Sequence, residues 1–284
     1  MPELPEVEIM VLGLRSALMG RVLEKVRVRE KGVLYRTSPR ALRGLKGSRL
    51  VGLTREGKFL LFHLSNGARL VFHLKMTGRL GFREGPQAPL RWERLTMEFA
   101  GLKEKVSFQD QRKFGYMAVI PEGEECTVPL ICELGPDALQ VSRRELKEIL
   151  GASRRPVKAL LLDQRAIAGL GNIYVDESLH RARVHPLCPA ADVTAEEAGR
   201  LHRAMRNILT RAIECGGSTV RSFSDSRGIQ GTFQKYHRVY GRRGEKCRRC
   251  GSPITYAKVA SRGTHYCSDC QKMPSRKKSK GVRP

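Results

Sequence analysis

The chain has 284 residues, with 53 Lys and Arg against 28 Asp and Glu, a formal charge of +25 at pH 7. That length is enough for about two domains. A hydrophobic content of 40% excludes a disordered chain. No apolar run approaches the roughly 18–20 residues that span a bilayer, and no basic amphipathic helix offers a broad apolar face to a membrane surface. So large a positive charge points instead to nucleic acid, because clustered Lys and Arg bind phosphates and release counterions. The first eight residues, MPELPEVE, hold three glutamates, and no basic residue precedes Arg15. A secretory signal needs a basic start and an apolar stretch, so the expected compartment is the cytoplasm.

In chain order, Leu4, Val7, Val11, Leu14 and Leu18 recur three and four residues apart and predict an amphipathic helix. Pro5 sits in its first turn, where a missing N–H is harmless, and Gly20 ends it. From 21 to 121 the pattern changes to short strands: VRVR, RLVGLTR, KFLLFHL, RLVFHLKM, RLTMEFA, KVSFQD and GYMAVI. Strands at this spacing predict a sandwich or barrel, giving an N-terminal β domain over 2–121. A Pro-, Gly- and acid-rich linker follows at 122–141, then helices over 142–235. These comprise 141–150, 156–167 opened by Pro156, one starting at Asn172, and one from the Thr194/Glu197 capping box to Cys215. Residues 218–240 read as a polar loop, 236–271 as a cysteine-rich unit, and 272–284, with six basic residues and no acids, as a disordered tail.

Two CxxC pairs, Cys247/Cys250 and Cys267/Cys270, are separated by sixteen residues that include a good β-hairpin. Four thiolates at this spacing hold one tetrahedral Zn²⁺, and with every position filled by sulfur the metal is structural. Arg262, Gly263 and Thr264 fall near the hairpin turn. Cys126, Cys132, Cys188 and Cys215 are scattered and are expected to be reduced. GLGN at 169–172 leads into a helix. Its unpaired N–H groups suit phosphate, but by themselves they fit an ordinary helix–turn–helix connection better. At the N-terminus, the small Pro2 permits removal of Met1, which would leave a secondary amine at the positive end of a helix. Such an amine is a carbonyl nucleophile when neutral. Glu3 and Glu6 share a helix face within reach for proton transfer, or serve only to complement the helix dipole.

Taken together, MPELPEVE, REGKFLLFHL, HLKMTGRL, DQRKFG, LLLDQRAIAGLGNIYVDESLHRARVHP, GGSTVRSF, VYGRRGEKCRRCG and SRGTHYCSDCQ resemble, in order, the signatures of the formamidopyrimidine-DNA glycosylases. These are bacterial repair enzymes for oxidised purines, and the likeness runs over residues 2–271. The resemblance implies a monomeric glycosylase and abasic-site lyase on double-stranded DNA, built as an α+β multidomain chain. Its parts would be a β-sandwich with a leading helix, a helix-two-turn-helix domain and a zinc-finger hairpin. It implies Pro2 as nucleophile, Glu3 as general acid, Glu6 as second carboxylate and Lys58 as a cation beside the lesion phosphate. Met76, Arg112 and Phe114 would fill the void left by the everted base. Asn172 and Arg262 would clamp flanking phosphates with help from Lys158, and Ser218, Thr219 and Arg221 would belong to the loop that closes over the base. The chain departs from the family at Lys75, where glycine is common, and at Gln111 and Lys113, where proline and arginine are usual. The sister branch acting on oxidised pyrimidines and a non-catalytic binder of damaged DNA are the competing readings.

Overall fold

A computed structural model describes residues 1–84, 89–124, 128, 131–220 and 223–273. Arg221, Cys126 and the tail from 274 onward lie outside the described residues. The contacts form two compact units. One comprises Met1–Gln140 with Gln164–Gly171 and Leu209–Tyr236, and the other Val141–Asp163, Asn172–Ile208 and the segment beginning at His237. The grouping differs from a linear division at 141 and 235, because 164–171 and 209–236 belong with the N-terminal part.

In the first unit, helix α1 (Leu4–Leu18) is followed by β1 (Leu23–Val28), the single-turn α2 (Pro39–Arg43), β2 (Leu50–Glu56) and β3 (Phe59–Leu64). Then come β4 (Arg69–His73), β5 (Gly78–Arg83), β6 (Glu93–Phe99), β7 (Lys105–Asp110) and β8 (Tyr116–Ile120). The strands form two antiparallel four-stranded sheets, ordered β1-β6-β7-β5 and β2-β3-β4-β8. Strand β5 carries no clear signal in the sequence, since Gly78 and Gly81 interrupt the run; its register is set by pairing with β7, Gly78 opposite Asp110. The predicted stripe of α1 is buried, and Val7, Met10, Val11, Leu14 and Leu18 join Leu53, Leu60, Phe62, Leu80, Met97 and Phe108 in one core. Each such side chain taken from water contributes about 1.5–3 kcal/mol, so the core fixes α1 to the sheets. Its first turn therefore becomes a rigid platform.

The second unit contains α3 (Arg143–Gly151), α4 (Val157–Leu162), α5 (Asn172–Ala182), the start of α6 (Ala195–Glu214), and the hairpin β9 (Thr255–Val259) and β10 (Arg262–Tyr266). Ser142/Glu145 caps α3 reciprocally, and the expected Thr194/Glu197 pair does the same at α6. Helix α4 stops at Leu162, short of the expected 167. The chain turns extended at Asp163, and 164–171 joins the other unit. Among the described residues, no helix is long and apolar enough to cross a membrane.

Candidate active site and zinc centre

The first turn of α1 is a capping box made from two buried glutamates. Glu3 is the N-cap, and its N–H donates to Glu6 Oε2 at 2.9 Å. The Ser218 N–H, 212 residues away in sequence, donates to Glu6 Oε1 at 2.8 Å. Pro2 is buried, while Glu3 and Glu6 are 3% and 1% exposed. Capping a helix does not require burial. Burying two carboxylates at the chain start is costly unless their oxygens are occupied, and here Glu6 is held by N–H groups from both sides.

The GLG run explains the rest. The Leu4 N–H donates to Gly169 O at 3.0 Å, and Gly169 adopts a φ of +99° against the Leu4 side chain. A Cβ at Gly171 would collide with the carboxyl group of Glu3. Gln164 brackets the run, accepting from the Gly169 N–H and donating to Leu170 O, both at 2.9 Å. The glycines thus cradle Glu3 and Leu4, a role that neither the phosphate reading nor the plain connection between helices anticipated. The β2–β3 turn meets the same segment: a Cβ at Gly57 (φ +54°) would lie 3.3 Å from Ala168 Cβ. Lys58, 6% exposed, follows that glycine directly. Burial, with the charges of Lys75 and Lys58 added, pushes His73 down to about 3. Lys58 therefore shares this end of the sandwich with a neutral imidazole.

Beyond this, the 110–115 turn is built on Asp110. Its carboxylate accepts the Thr77 hydroxyl, the Arg112 N–H at 3.2 Å and the Gly115 N–H at 2.6 Å. Phe114 is 55% exposed, with the Arg112 guanidinium 4.8 Å from its ring centre. Such exposure keeps the Phe114 ring out of the core. Met76 is half-buried on the neighbouring turn, tied to the first through Thr77. Lys75 and Lys113 have φ of +50° and +60°. The left-handed conformation is what glycine adopts without cost, which accounts for the family's glycine at the first of these positions. Nothing in the structure explains Gln111.

Ser218 is buried, and Thr219 is part of the loop's own scaffold. Its N–H donates to Gln234 Oε1, and its hydroxyl bonds Phe223 O and the Gly231 N–H, all within 2.8–2.9 Å. The expected polar loop thus has a closed base, with a short 3₁₀ turn at Phe233–Tyr236.

In the second unit, Lys158 is fully buried. Its Nζ donates to Asp176 Oδ1 at 2.6 Å and to Gly263 O at 3.0 Å. A side chain so enclosed does not present its charge to a phosphate, and the structure corrects its role to holding the hairpin turn. Asn172 Nδ2 also donates to Gly263 O, at 2.9 Å. Residues Ala260 and Ser261 form the turn with φ of +49° and +60°, and the exposed Arg262 follows at once. Asp176 also accepts the His265 N–H at 2.9 Å, so one carboxylate couples α5, α4 and β10. Its neighbour Glu177, which sequence reasoning did not single out, accepts the N–H groups of Arg238, Val239 and Tyr240.

The four cysteines Cys247, Cys250, Cys267 and Cys270 place their sulfurs within 4.8 Å of one another. Cys247–Cys270 and Cys250–Cys267 are 4.0 and 3.4 Å apart, and all four are unbridged. A tetrahedral Zn²⁺ with about 2.3 Å bonds needs sulfurs roughly 3.8 Å apart, and the cluster fits. His180 adds a fifth group: its Nε2 lies 3.5 Å from Cys247 Sγ, and burial with nearby arginines holds the imidazole down to about 4.

Three stretches of the chain match known domain families. Residues 1–117 match the formamidopyrimidine-DNA glycosylase N-terminal domain, 134–224 its H2TH domain, and 244–272 the zinc finger found in FPG and IleRS. The chain is 45% identical over 279 residues to the formamidopyrimidine-DNA glycosylase of Thermus thermophilus, covering 95% of this chain and 98% of that protein. It is 43% identical over 276 residues to that of Halalkalibacterium halodurans, covering 96% and 100%. The crystal structure of the Thermus thermophilus protein aligns with a TM-score of 0.85 at 42% identity, covering 96% and 100%. A Lactococcus lactis mutant enzyme in complex with DNA containing Fapy-dG aligns at 0.87 and 34% identity, covering 95% and 100%. With family domains over most of its length and relatives 43–45% identical along nearly all of it, the chain belongs to the formamidopyrimidine-DNA glycosylase family.

Proposed function

We propose that this protein is a DNA glycosylase and abasic-site lyase that removes oxidised purines, 8-oxoguanine and formamidopyrimidines, from double-stranded DNA. It acts as a monomer in the cytoplasm. The observation that carries the reading is the juxtaposition at the chain start of Pro2 with two carboxylates buried in a glycine cradle. In the chain with Met1 attached, the nitrogen of Pro2 is an amide and cannot attack. Removal of Met1 turns it into a secondary amine. That amine attacks C1′ of the damaged nucleotide while Glu3 gives its proton to the sugar ring oxygen or the leaving base. The C1′–N bond breaks and an iminium forms between Pro2 and the opened sugar. Loss of a proton from C2′ then expels the 3′ phosphate, a second elimination expels the 5′ phosphate, and water releases the sugar remnant.

Glu6, holding the Glu3 and Ser218 N–H groups, keeps Pro2 and the base-covering loop in register. Lys58 supplies a cation for the phosphate beside the lesion. Phe114, Arg112 and Met76 enter the void, with Arg112 offering hydrogen-bond donors to the orphaned cytosine. Asn172 and Arg262 take flanking phosphates, and Lys158 positions the turn that carries Arg262. Zinc on the four cysteines fixes the hairpin and takes no part in bond breaking.

Borohydride trapping on a duplex with one abasic site, with the mass of the intact N-terminus measured, tests this reading. The expected result is a covalent adduct on Pro2 in chains lacking Met1; a chain that lacks Met1 and gives no adduct refutes it. Glu3→Gln should slow base excision by about 10²–10⁴-fold, the range for a general acid, and slow cleavage of a preformed abasic site far less. Equal losses would remove Glu3 from the excision step.

A further inference from the structure

The first unit carries an exposed aromatic that the proposed chemistry does not use. Trp92, the single tryptophan of the chain, is 43% exposed and has a φ of +61°. A bulky side chain in the left-handed region is strained, and such strain persists where surrounding structure imposes it, often at sites of function. Here the imposing contact is backbone: the Asp110 N–H donates to Trp92 O at 3.0 Å. Asp110 is the residue on which the Arg112–Phe114 turn is built. The β6–β7 register, Glu93 opposite Gln109, puts Trp92 at the same sheet end as that turn. The Arg91 guanidinium lies 4.3 Å from the Trp92 ring centre, repeating the Arg112–Phe114 arrangement at 4.8 Å. Two exposed rings, each capped by an arginine, thus stand at one end of one sheet pair.

We propose that Trp92 and Arg91 form a second DNA contact beside the wedge, lying against the strand opposite the lesion. The arginine would face a phosphate, and the indole would pack on the adjacent sugar or base. This rests on the reading of Arg112 and Phe114 as void-filling residues. Charge complementarity selects the partner, because Arg91, Arg112 and Lys113 are all exposed here and the ring keeps an arginine flat and available to a phosphate. A ring with an arginine on its face is also the combination that proteins use to hold nucleic acid without reading sequence.

The test uses the full-length protein and a duplex carrying a tetrahydrofuran abasic analogue, which binds without reacting. Because Trp92 is the lone tryptophan, the intrinsic emission reports on this site alone. Saturating duplex should quench it and shield it from acrylamide. Trp92→Gly removes the ring while tolerating the left-handed backbone, so it should fold at least as stably. It should bind the duplex about ten-fold more weakly, the scale of one aromatic contact to nucleic acid, and Trp92→Phe should recover part of that loss. Unchanged emission on a duplex shown by anisotropy to be bound, or equal affinity of the Trp92→Gly chain, overturns the proposal and leaves the catalytic reading intact. A wild-type chain that neither binds the analogue nor traps on abasic DNA overturns both.

Discussion

Glu6 in the first unit and Glu177 in the second perform the same mechanical task with different consequences. Each is a buried carboxylate, at 1% and 4% exposure, that collects backbone N–H groups and ties a distant part of the chain to its own helix. Glu6 gathers Glu3 and Ser218; Glu177 gathers Arg238, Val239 and Tyr240. Burial pushes the Glu177 carboxyl up, and the three N–H donors pull it part of the way back. What separates the two is their surroundings. Beside Glu6 stand Pro2, which becomes an amine when Met1 is lost, and Glu3 in its cradle, whereas the loop bound by Glu177 leads to the structural cysteines. A buried acid is therefore not evidence of chemistry by itself; a reactive neighbour is needed.

The cradle is the sharpest place to break this comparison. Gly171→Ala adds one methyl against the carboxyl group of Glu3 and replaces none of the residues that react. If Glu3 acts through its position, excision of 8-oxoguanine should fall by about 10²-fold or more, as displacements near 1 Å do. Thermal stability should drop far less than activity, and single-turnover rates beside a melting curve measure both. Loss of activity only in proportion to loss of fold would return Glu3 to the status of a helix cap.

Glu177→Ala probes the other side. It orphans three N–H groups and should cost about 3–5 kcal/mol, the scale for removing one partner of a buried charged group. Denaturant unfolding measures that loss. Trapping on abasic DNA per folded molecule should be preserved, since nothing at Pro2 is altered. A selective loss of trapping at full stability would show that the two carboxylates are more alike than their neighbours suggest.

Much of this was legible in the sequence because it is local. The α1 stripe, the Thr194/Glu197 cap and the CxxC pairs are set by residues within a few positions of each other, and all appear as expected. Non-local features were not legible. No pattern marks Asp176 as the partner of Lys158, eighteen positions away, so a lysine suited to phosphate proved to be an internal tie. Likewise, the need for glycine at 171 arises from Glu3, at the far end of the chain. Strand β5 is held by its partner strand rather than by its own propensity. The pairing of 164–171 and 209–236 with the N-terminal unit is likewise a tertiary fact.

Acid acts on buried imidazoles in both units, and His73 in the first is pushed further down than His180 and His237 in the second. Burial, and then the Lys75 and Lys58 charges, push His73 down to about 3, so the folded first unit keeps a neutral imidazole where the unfolded chain binds a proton near the ordinary 6.5. The stability tied to this neutral state is complete above pH 6.5 and is lost as pH falls toward 3. Between pH 6.5 and 4.5 the loss from this one group is about 2–3 kcal/mol. His73→Phe keeps a ring beside Phe59 and Tyr116 and should flatten that part of the pH–stability curve. An unchanged slope would mean that other groups carry the acid sensitivity.

The smallest expected effect lies at the metal. The sulfur of Cys247, as a zinc-bound thiolate, can only accept, so His180 Nε2 at 3.5 Å must be the donor. Helix α5 thus reaches the zinc centre through the imidazole, while Arg249 holds the same turn by donating to His180 O at 3.0 Å. Removing a hydrogen bond to a metal ligand typically weakens retention 10–100-fold. The 3.5 Å separation puts this one at the lower end, about ten-fold. His180→Phe should release zinc to a chelator about ten times faster, and His180→Gln, which retains an N–H donor, should recover part of the difference. Zinc release can be followed with a colorimetric indicator on the full chain, independently of DNA cleavage. If both variants release zinc at the wild-type rate, the imidazole fills space and the four thiolates hold the metal without it.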